Sequence, residues 1–239
     1  MFSIADNIQN VRKRIKKAQA QVRLNESKEN EPAVQLLAVS KKRSAIEIQQ
    51  AISAEVRQFG ENYLNEALSK QEDLKVLIGK EDYDRLTWHF IGPIQSNKTR
   101  PIAEHFDWVQ SVDRLKIAQR LNEQRPDGET PLNICIQINI NREESKSGVA
   151  LNDVQALAKA IDSLPNLTLR GLMCIPKGDQ SKNELLASFQ KMRSTFLSLK
   201  KEHTTVDTLS MGMSADIESA ISGGSTMVRV GTDLFGIRS

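Results

Sequence analysis

A short apolar run with an abrupt polar end stands near the start of the chain, at Val34-Gln35-Leu36-Leu37-Ala38-Val39-Ser40-Lys41-Lys42. Its length and composition are typical of a buried β-strand. A strand here would deliver Lys41 to its carboxyl end. Such a lysine has two interpretations: a solvated residue whose aliphatic stem covers apolar surface, or an amine that partial burial activates for Schiff-base chemistry.

The same order of strand then helix recurs after a polar linker from Asn25 to Pro32. Each repeat has a β-rich run, a polar or glycine punctuation and a segment of helical period. We predict strands at Val34–Val39, Glu55–Gly60, Leu86–Ile91, Trp108–Val112, Leu132–Ile140, Leu167–Ile175, Val206–Met211 and Thr226–Val230. Helical segments such as Ser44–Ser53, Arg114–Gln124, Asn152–Leu164 and Asn183–His203 separate many of them.

Strands that alternate with helices are parallel and are joined by right-handed crossovers. Eight units in about 200 residues favour a barrel over an open sheet. We therefore predict an α/β fold, a single (β/α)8 TIM barrel that makes residues 1–239 one domain. The alternative is an open doubly wound sheet, but its G-x-G-x-x-G signature is missing from the first strand–helix turn.

An additional amphipathic helix is predicted before the first strand. Its apolar side chains recur at three- and four-residue spacing, at Ile4, Ile8, Val11, Ile15, Ala18 and Val22. The spacing gives one apolar stripe that must pack on another element. The basic residues between Arg12 and Lys17 are interpreted as a solvated face, with an anion-binding patch as the alternative.

Composition and motifs exclude several functional classes. The chain has 33 Lys and Arg against 30 Asp and Glu, a balance that favours a small ligand over nucleic acid or an anionic membrane. No run approaches the roughly 20 apolar residues of a membrane span, and the N-terminus lacks the pattern of a secretory signal. Cys135 and Cys174 lie inside apolar runs, which predicts buried free thiols and a cytoplasmic protein.

The carboxyl ends of the strands predict where the active site lies, because these ends meet at one mouth of a barrel. Polar residues that follow the runs include Lys41, Glu61, Asn62, Asp113, Asn139 and Ser210. The loops after the last two strands suit phosphate, which barrels frequently bind there. Ser214 could cap a helix and face an anion, while Gly231 and Thr232 offer close backbone approach and a hydroxyl. An ordinary helix cap and a turn glycine are the alternatives.

Several long motifs, in this order, closely resemble the pyridoxal 5'-phosphate homeostasis protein family. They are Leu36-Leu37-Ala38-Val39-Ser40-Lys41, Phe59-Gly60-Glu61-Asn62-Tyr63, Trp88-His89-Phe90-Ile91-Gly92-Pro93-Ile94-Gln95-Ser96-Asn97-Lys98, Ser145-Lys146-Ser147-Gly148, Arg170-Gly171-Leu172-Met173, Leu209-Ser210-Met211-Gly212-Met213-Ser214 and Val228-Arg229-Val230-Gly231-Thr232. The resemblance runs from the first predicted strand to the last.

The resemblance implies a barrel of the alanine racemase N-terminal domain type that holds pyridoxal 5'-phosphate (PLP) as a Schiff base on Lys41. Carried over by position, the cofactor-binding residues are Asn62, Ser210, Met211, Ser214, Arg229, Gly231 and Thr232. Among these, Ser214, Gly231 and Thr232 would bind the phosphate. Arg229 would face the pyridine nitrogen. Lys146 is either a solvated loop lysine or a residue with a secondary role in PLP handling, and no metal site is expected.

The function implied is that of a carrier or regulator in vitamin B6 and amino-acid homeostasis, with apo PLP-dependent enzymes as partners. The sequence ends at Ser239 without the dimerising β domain of alanine racemases, which favours a monomer without established catalysis. Two alternatives stay open. One is a low-activity racemase or an aldolase that uses Lys41; the other is a PLP-sensing interaction protein whose surface is Arg12–Lys17 or the Asn141–Gly148 loop.

Overall fold

The structure, a computed structural model, describes residues 3–26, 32–141, 143 and 147–237. Within these ranges, eight parallel strands close into a barrel in chain order. They are β1 (Gln35–Val39), β2 (Gln58–Glu61), β3 (Thr87–Phe90), β4 (Trp108–Val112), β5 (Leu132–Ile138), β6 (Leu167–Cys174), β7 (Thr208–Ser210) and β8 (Met227–Val230). The predicted barrel is confirmed, and the open sheet is wrong.

Helices cover the outside of this barrel. They are α1 (Ile4–Glu26), α2 (Ala45–Ser53), α3 (Leu64–Ile78), α4 (Lys80–Tyr83), α5 (Thr99–His105), α6 (Leu115–Gln124), α7 (Val154–Asp162), α8 (Lys182–Glu202), α9 (Ile217–Ser222) and α10 (Thr232–Phe235). Ser44 and Ser181 start α2 and α8 with capping boxes, in which each serine exchanges hydrogen bonds with a glutamate three residues on.

The apolar core is split by the strand alternation into an outer layer and a smaller interior. Side chains such as Ala38, Phe59 and Val109 point outward and pack under the helices in one large cluster. The barrel interior holds two small apolar clusters. One consists of Leu37, Val39, Ile91 and Met227, and the other of Trp108, Cys135 and Met173.

Both cysteines are buried and free, as predicted. Burial in apolar surroundings raises the pKa of the Cys135 and Cys174 thiols to about 12. Neither is therefore a reactive thiolate near neutral pH. No helix in the described ranges combines the length and the apolar character that crossing a membrane requires.

The N-terminal helix α1 lies against the last two helices of the chain and against α2. Ile8, Val11 and Ile15 are buried there, which confirms the predicted apolar stripe. The basic face is not simply solvated, because Arg12 donates to the carbonyl oxygens of Ala54 and Glu55. The helix is thus fastened to the barrel by both of its faces.

Ile8→Ala should lower the free energy of unfolding by about 2–5 kcal/mol, because it leaves a cavity at a side chain with no exposed area. Leu24→Ala on the same helix removes a 79% exposed side chain and should change stability by less than about 0.5 kcal/mol. Urea unfolding of both variants checks the pair, and equal losses would mean that α1 is not docked through this stripe.

Candidate functional site

The closing seam of the barrel brings the first and last strands side by side. Leu37 of β1 pairs with Arg229 of β8 in parallel register. The Ser40 N–H still donates to the Gly60 carbonyl at 3.0 Å, so the extended conformation continues one residue past β1. Since Leu37 and Val39 point into the barrel, alternation puts the half-buried Lys41 on the interior side, at the carboxyl ends of the strands.

The turn that carries Lys41 is held by a buried ammonium on α3. Lys70 Nζ donates to the Ser40 carbonyl at 2.8 Å, to Glu61 Oε1 at 2.7 Å and to Glu66 Oε1 at 2.8 Å. The Ser40 hydroxyl also donates to Glu61 Oε1, at 2.6 Å. The expectation that Glu61 lines the mouth is therefore wrong: its carboxylate faces α3, because Gly60 before it takes the interior position.

The next residue of this turn is anchored to the same helix. Lys42 has a φ of +59°, and its N–H donates to Glu66 Oε1. A positive φ is uncommon for residues other than glycine, asparagine and aspartate, so this backbone conformation needs support from its surroundings. Glu66 supplies that support, and the Lys42 side chain is exposed.

The Glu61–Lys70 pair is a buried ion pair, with 0% and 5% of the two side chains exposed. Burial raises the pKa of the Glu61 carboxyl, while Lys70 opposes that rise. Glu61 Oε2 has no hydrogen-bond partner among the described residues. The carboxylate therefore depends on Lys70 for its charge compensation.

On β8, Arg229 is 3% exposed and is oriented by two hydrogen bonds. Nη1 donates to Ser210 Oγ and Nη2 to the Cys174 carbonyl, both at 2.8 Å. Burial lowers the pKa of the guanidinium from its usual value, but Asp216 works against this shift. In the described part of the chain Arg229 forms no salt bridge, so its charge is available to a ligand at the mouth.

The loops that follow β7 and β8 lie against each other. The Ser214 hydroxyl accepts a hydrogen bond from the Asp233 N–H in the first turn of α10, at 3.3 Å. The expectation that Ser214 caps the helix after it is therefore wrong: that helix, α9, begins at Ile217 with Asp216 at its N-cap position. Thr232 is exposed at the start of α10.

Arg14 of α1 ties these two loops together from behind. Its Nη2 donates to the Ser214 carbonyl at 3.0 Å, and its Nη1 meets Asp233 Oδ2 at 2.6 Å. Two further bonds, from Nε and Nη2, go to the Glu218 carboxylate. A forked guanidinium can hold several acceptors at once, so one side chain fixes the spacing of both loops.

Glycines allow the close contacts at this end of the barrel. Gly212 has a φ of +98°, and a Cβ there would lie 2.5 Å from Ala220 Cβ. A Cβ at Gly231 would lie 3.2 Å from the Val39 carbonyl oxygen of β1. Both loops thus approach their neighbours more closely than a side chain permits.

The remaining predicted site residues are Asn62, Met211 and Lys146. Asn62 follows β2, and its Oδ1 is buried without a hydrogen-bond partner among the described residues. Met211 lies in the outer core, its N–H bonded to the Met227 carbonyl and its own carbonyl to the Ser225 hydroxyl. Lys146 and half of the Asn141–Gly148 loop around it, residues 142 and 144–146, lie outside the described residues.

Comparisons with known proteins identify the chain's relatives. The family described as alanine racemase, N-terminal domain, matches residues 7–239. A pyridoxal phosphate homeostasis protein of Pseudomonas aeruginosa is 54% identical over 239 residues, which cover 100% of this chain and 97% of the relative. The protein of that name from Escherichia coli K12 is 48% identical, with 100% and 98% covered. The chain belongs to the pyridoxal phosphate homeostasis protein family.

Solved structures of similar proteins agree with this family membership. PipY of Synechococcus elongatus PCC7942, with PLP bound, is 35% identical and has a TM-score of 0.77 over 91% of this chain and 100% of that chain. Alanine racemase of Corynebacterium glutamicum is 15% identical, with a TM-score of 0.68 over 98% of this chain and 60% of that chain. The second similarity shows the fold alone.

Sequence reasoning missed the residues that support the site of this homeostasis-family protein. Lys70 and Glu66 were not singled out from the sequence, and Arg14 was interpreted as part of a solvated basic face. The available signal for Lys70 was its position among Leu64, Ala67 and Leu74 on the buried side of α3. A lysine at a core position of a helix indicates a buried acceptor.

Lys70→Met should destabilise the protein by about 3–5 kcal/mol, because it leaves the buried Glu61 carboxylate uncompensated. Loss of Lys70 raises the pKa of Glu61 further, so the folded state then binds more protons than the unfolded state above the ordinary carboxyl pKa. Stability of the variant should accordingly fall as pH rises. Urea unfolding at about pH 5 and about pH 8 measures this dependence.

The double variant Glu61→Gln/Lys70→Met is the matched control, because it removes both charges. It should recover most of the lost stability and abolish the additional pH dependence. If single and double variants were equally unstable at every pH, the loss would come from packing and not from the buried charge.

Proposed function

We propose that this protein binds PLP at the carboxyl ends of its barrel strands, with Lys41 as the Schiff-base lysine, and serves as a carrier or regulator in PLP homeostasis. The observation that carries the proposal is the β1–β8 seam, which sets the interior-facing Lys41 beside the strand of the buried cation Arg229. The names of the relatives and the PLP bound in PipY support it.

The residues present fit the chemistry of PLP. Its phosphate is a dianion, and the loops that carry Ser214, Gly231 and Thr232 offer hydroxyls and backbone N–H groups. Arg229 is a buried cation without a salt bridge in the described residues, and the orphaned Oδ1 of Asn62 is a buried acceptor in need of a partner. A polar aromatic ligand with an anionic tail would match the loops, Arg229 and Asn62.

When bound, PLP supplies an electrophilic aldehyde carbon and a conjugated ring that accepts electron density. The Lys41 amine would join that carbon with loss of one water. Ser210 would hold Arg229, and Arg229 would donate an N–H to the pyridine nitrogen. A guanidinium donates but does not give up its proton, so the ring nitrogen stays unprotonated. The ring is then a weaker electron acceptor, which favours holding PLP over rapid amino-acid chemistry.

The cellular location, the oligomeric state and the partners of the protein belong to the same proposal. We assign the protein to the cytoplasm, consistent with two buried free thiols. We further propose one PLP-binding domain across residues 1–239, a monomeric state, and apo PLP-dependent enzymes as recipients. A racemase of low activity and a PLP-sensing interaction protein are outcomes that the tests below distinguish.

Borohydride reduction of the PLP complex, followed by peptide mass mapping, should place the pyridoxyl group on Lys41. Lys41→Ala should lose the label and the near-ultraviolet absorption of the complex. Lys42→Ala is the matched control and should keep both, since Lys42 is exposed on the turn. A label found on Lys42 or Lys146 alone would overturn the assignment of Lys41.

Arg14→Gln should weaken binding of PLP about threefold to tenfold and leave pyridoxal binding unchanged. The variant loosens the two loops by about 1 kcal/mol, the size expected for partly exposed ion pairs, and only PLP carries a phosphate. Lys13→Gln makes the same charge change at an exposed position of α1. Fluorescence titrations measure all four affinities, and equal losses for the two ligands would contradict a phosphate site at these loops.

The carrier proposal predicts transfer of PLP to an added apo-enzyme with slow α-proton exchange. Exchange is measured as deuterium uptake by L- and D-alanine in heavy water, and transfer as recovered activity of the apo-enzyme. Turnover in the usual enzyme range of about 1–1,000 per second would favour the racemase. A pull-down that captures a protein partner only in the presence of PLP, without transfer, would favour the sensor.

A further inference from the structure

Arg229 is one end of a buried chain of hydrogen bonds that crosses the inside of the barrel. Its Nη1 donates to Ser210 Oγ at 2.8 Å, and that hydroxyl donates to Gln110 Oε1 at 2.7 Å. Gln110 Nε2 then lies 2.9 Å from His89 Nδ1. The chain connects β8, β7, β4 and β3, and none of its four side chains is more than 3% exposed.

The direction of this chain is set by Arg229 at one end and by Met227, which lies beside Gln110. A guanidinium has donors and no acceptor, so Ser210 Oγ accepts from Arg229, and its hydroxyl hydrogen donates to Gln110 Oε1. Gln110 presents its oxygen to Ser210 and its amide nitrogen to His89. Met227 supports the same orientation, because its sulfur lies 3.2 Å from Gln110 Nε2 and is only an acceptor.

The far end of the chain is His89, and the direction of the chain determines its tautomer. If Gln110 donates, His89 Nδ1 must accept, and the ring proton is on Nε2. Nε2 is buried with no hydrogen-bond partner among the described residues. Burial lowers the pKa of His89 to about 3, so the ring is neutral.

Aromatic stacking fixes the plane of the same ring. The His89 ring lies 5.1 Å from the Trp108 ring at an angle of 18°, and the Arg170 guanidinium is 4.8 Å from the Trp108 ring centroid. Trp108 thus stacks with the His89 ring and with the Arg170 guanidinium. A ring held in this way keeps Nδ1 aimed at Gln110.

We propose that Gln110 and His89 are positioning residues which fix the proton order of this chain and thereby hold Arg229 as an oriented donor at the mouth. Neither residue would touch the ligand. They act through Ser210, whose hydroxyl donates to Gln110 and accepts from Arg229. The role of the oriented Arg229 rests on the proposed PLP site, whereas the proton order itself does not.

The proton order can be tested on the protein without PLP. The protein has three histidines, so nitrogen-15 NMR of histidine-labelled protein gives three resolvable imidazoles, and His105→Gln and His203→Gln assign the signals of His89 by elimination. His89 should show an unprotonated Nδ1 and a protonated Nε2 near neutral pH. An Nδ1–H tautomer or a charged imidazolium would overturn the proposed order.

The link to Arg229 is tested by a double-mutant cycle on PLP binding. Gln110→Leu and Ser210→Ala should each weaken binding about tenfold and shift the absorption maximum of bound PLP. The two together should weaken it about tenfold and not about a hundredfold, because both break one chain. Gln58→Leu is the matched control, because Gln58 begins β2 and so lies at the end of the barrel opposite the mouth. This variant should leave affinity and spectrum unchanged.

The possible failures are distinguishable. Additive losses in the cycle, or an unshifted spectrum in Gln110→Leu, would overturn the positioning role while leaving the PLP site intact. Absence of PLP binding by the unaltered protein would overturn the proposed function, and the NMR result would still decide the proton order. Since that measurement needs no substitution in the chain itself, poor folding of a variant does not prevent the test.

Discussion

The parallel pairing of β1 with β8 is the constraint on which the rest of the site depends. It joins residues from opposite ends of the chain, Leu37 and Arg229, in one register. A slip of one residue would turn Arg229 toward the helices and bring Val230 into the barrel. The same pairing puts Gly231 against the Val39 carbonyl, so the loop after β8 starts beside the turn that carries Lys41.

Side chains behind the mouth hold the geometry that the seam creates. The Lys70 ammonium fixes the turn around Lys41 from α3, and Arg14 fixes the loops after β7 and β8 from α1. The two supports differ in kind. The Glu61–Lys70 pair is nearly inaccessible to water, so breaking it is costly, whereas the partly exposed contacts of Arg14 contribute less.

The barrel, its eight strands and the α1 stripe were predictable because they follow from apolar periodicity, which reports burial along a single element. The side of a strand on which a polar residue lies was harder to predict from the sequence. Glu61 was expected at the mouth because it follows a strand, but Gly60 takes the interior position before it. Arg14 and Gln110 were missed since their partners are distant in sequence, and charge or polarity alone does not reveal them.

A single property of arginine links the chemistry of the mouth to the interior of the barrel. Because a guanidinium only donates, a ligand nitrogen that faces Arg229 must accept, and so must Ser210 Oγ behind it. Met227 turns the Gln110 amide, so the hydrogen bonds then run in one direction to His89. The direction ends at an imidazole N–H that has no partner among the described residues. A buried orphan of this kind carries a cost, and here it follows from anchoring an always-charged donor inside a barrel. The polar chain from Ser210 to His89 therefore holds Arg229 at the cost of one buried N–H that is unpaired among the described residues.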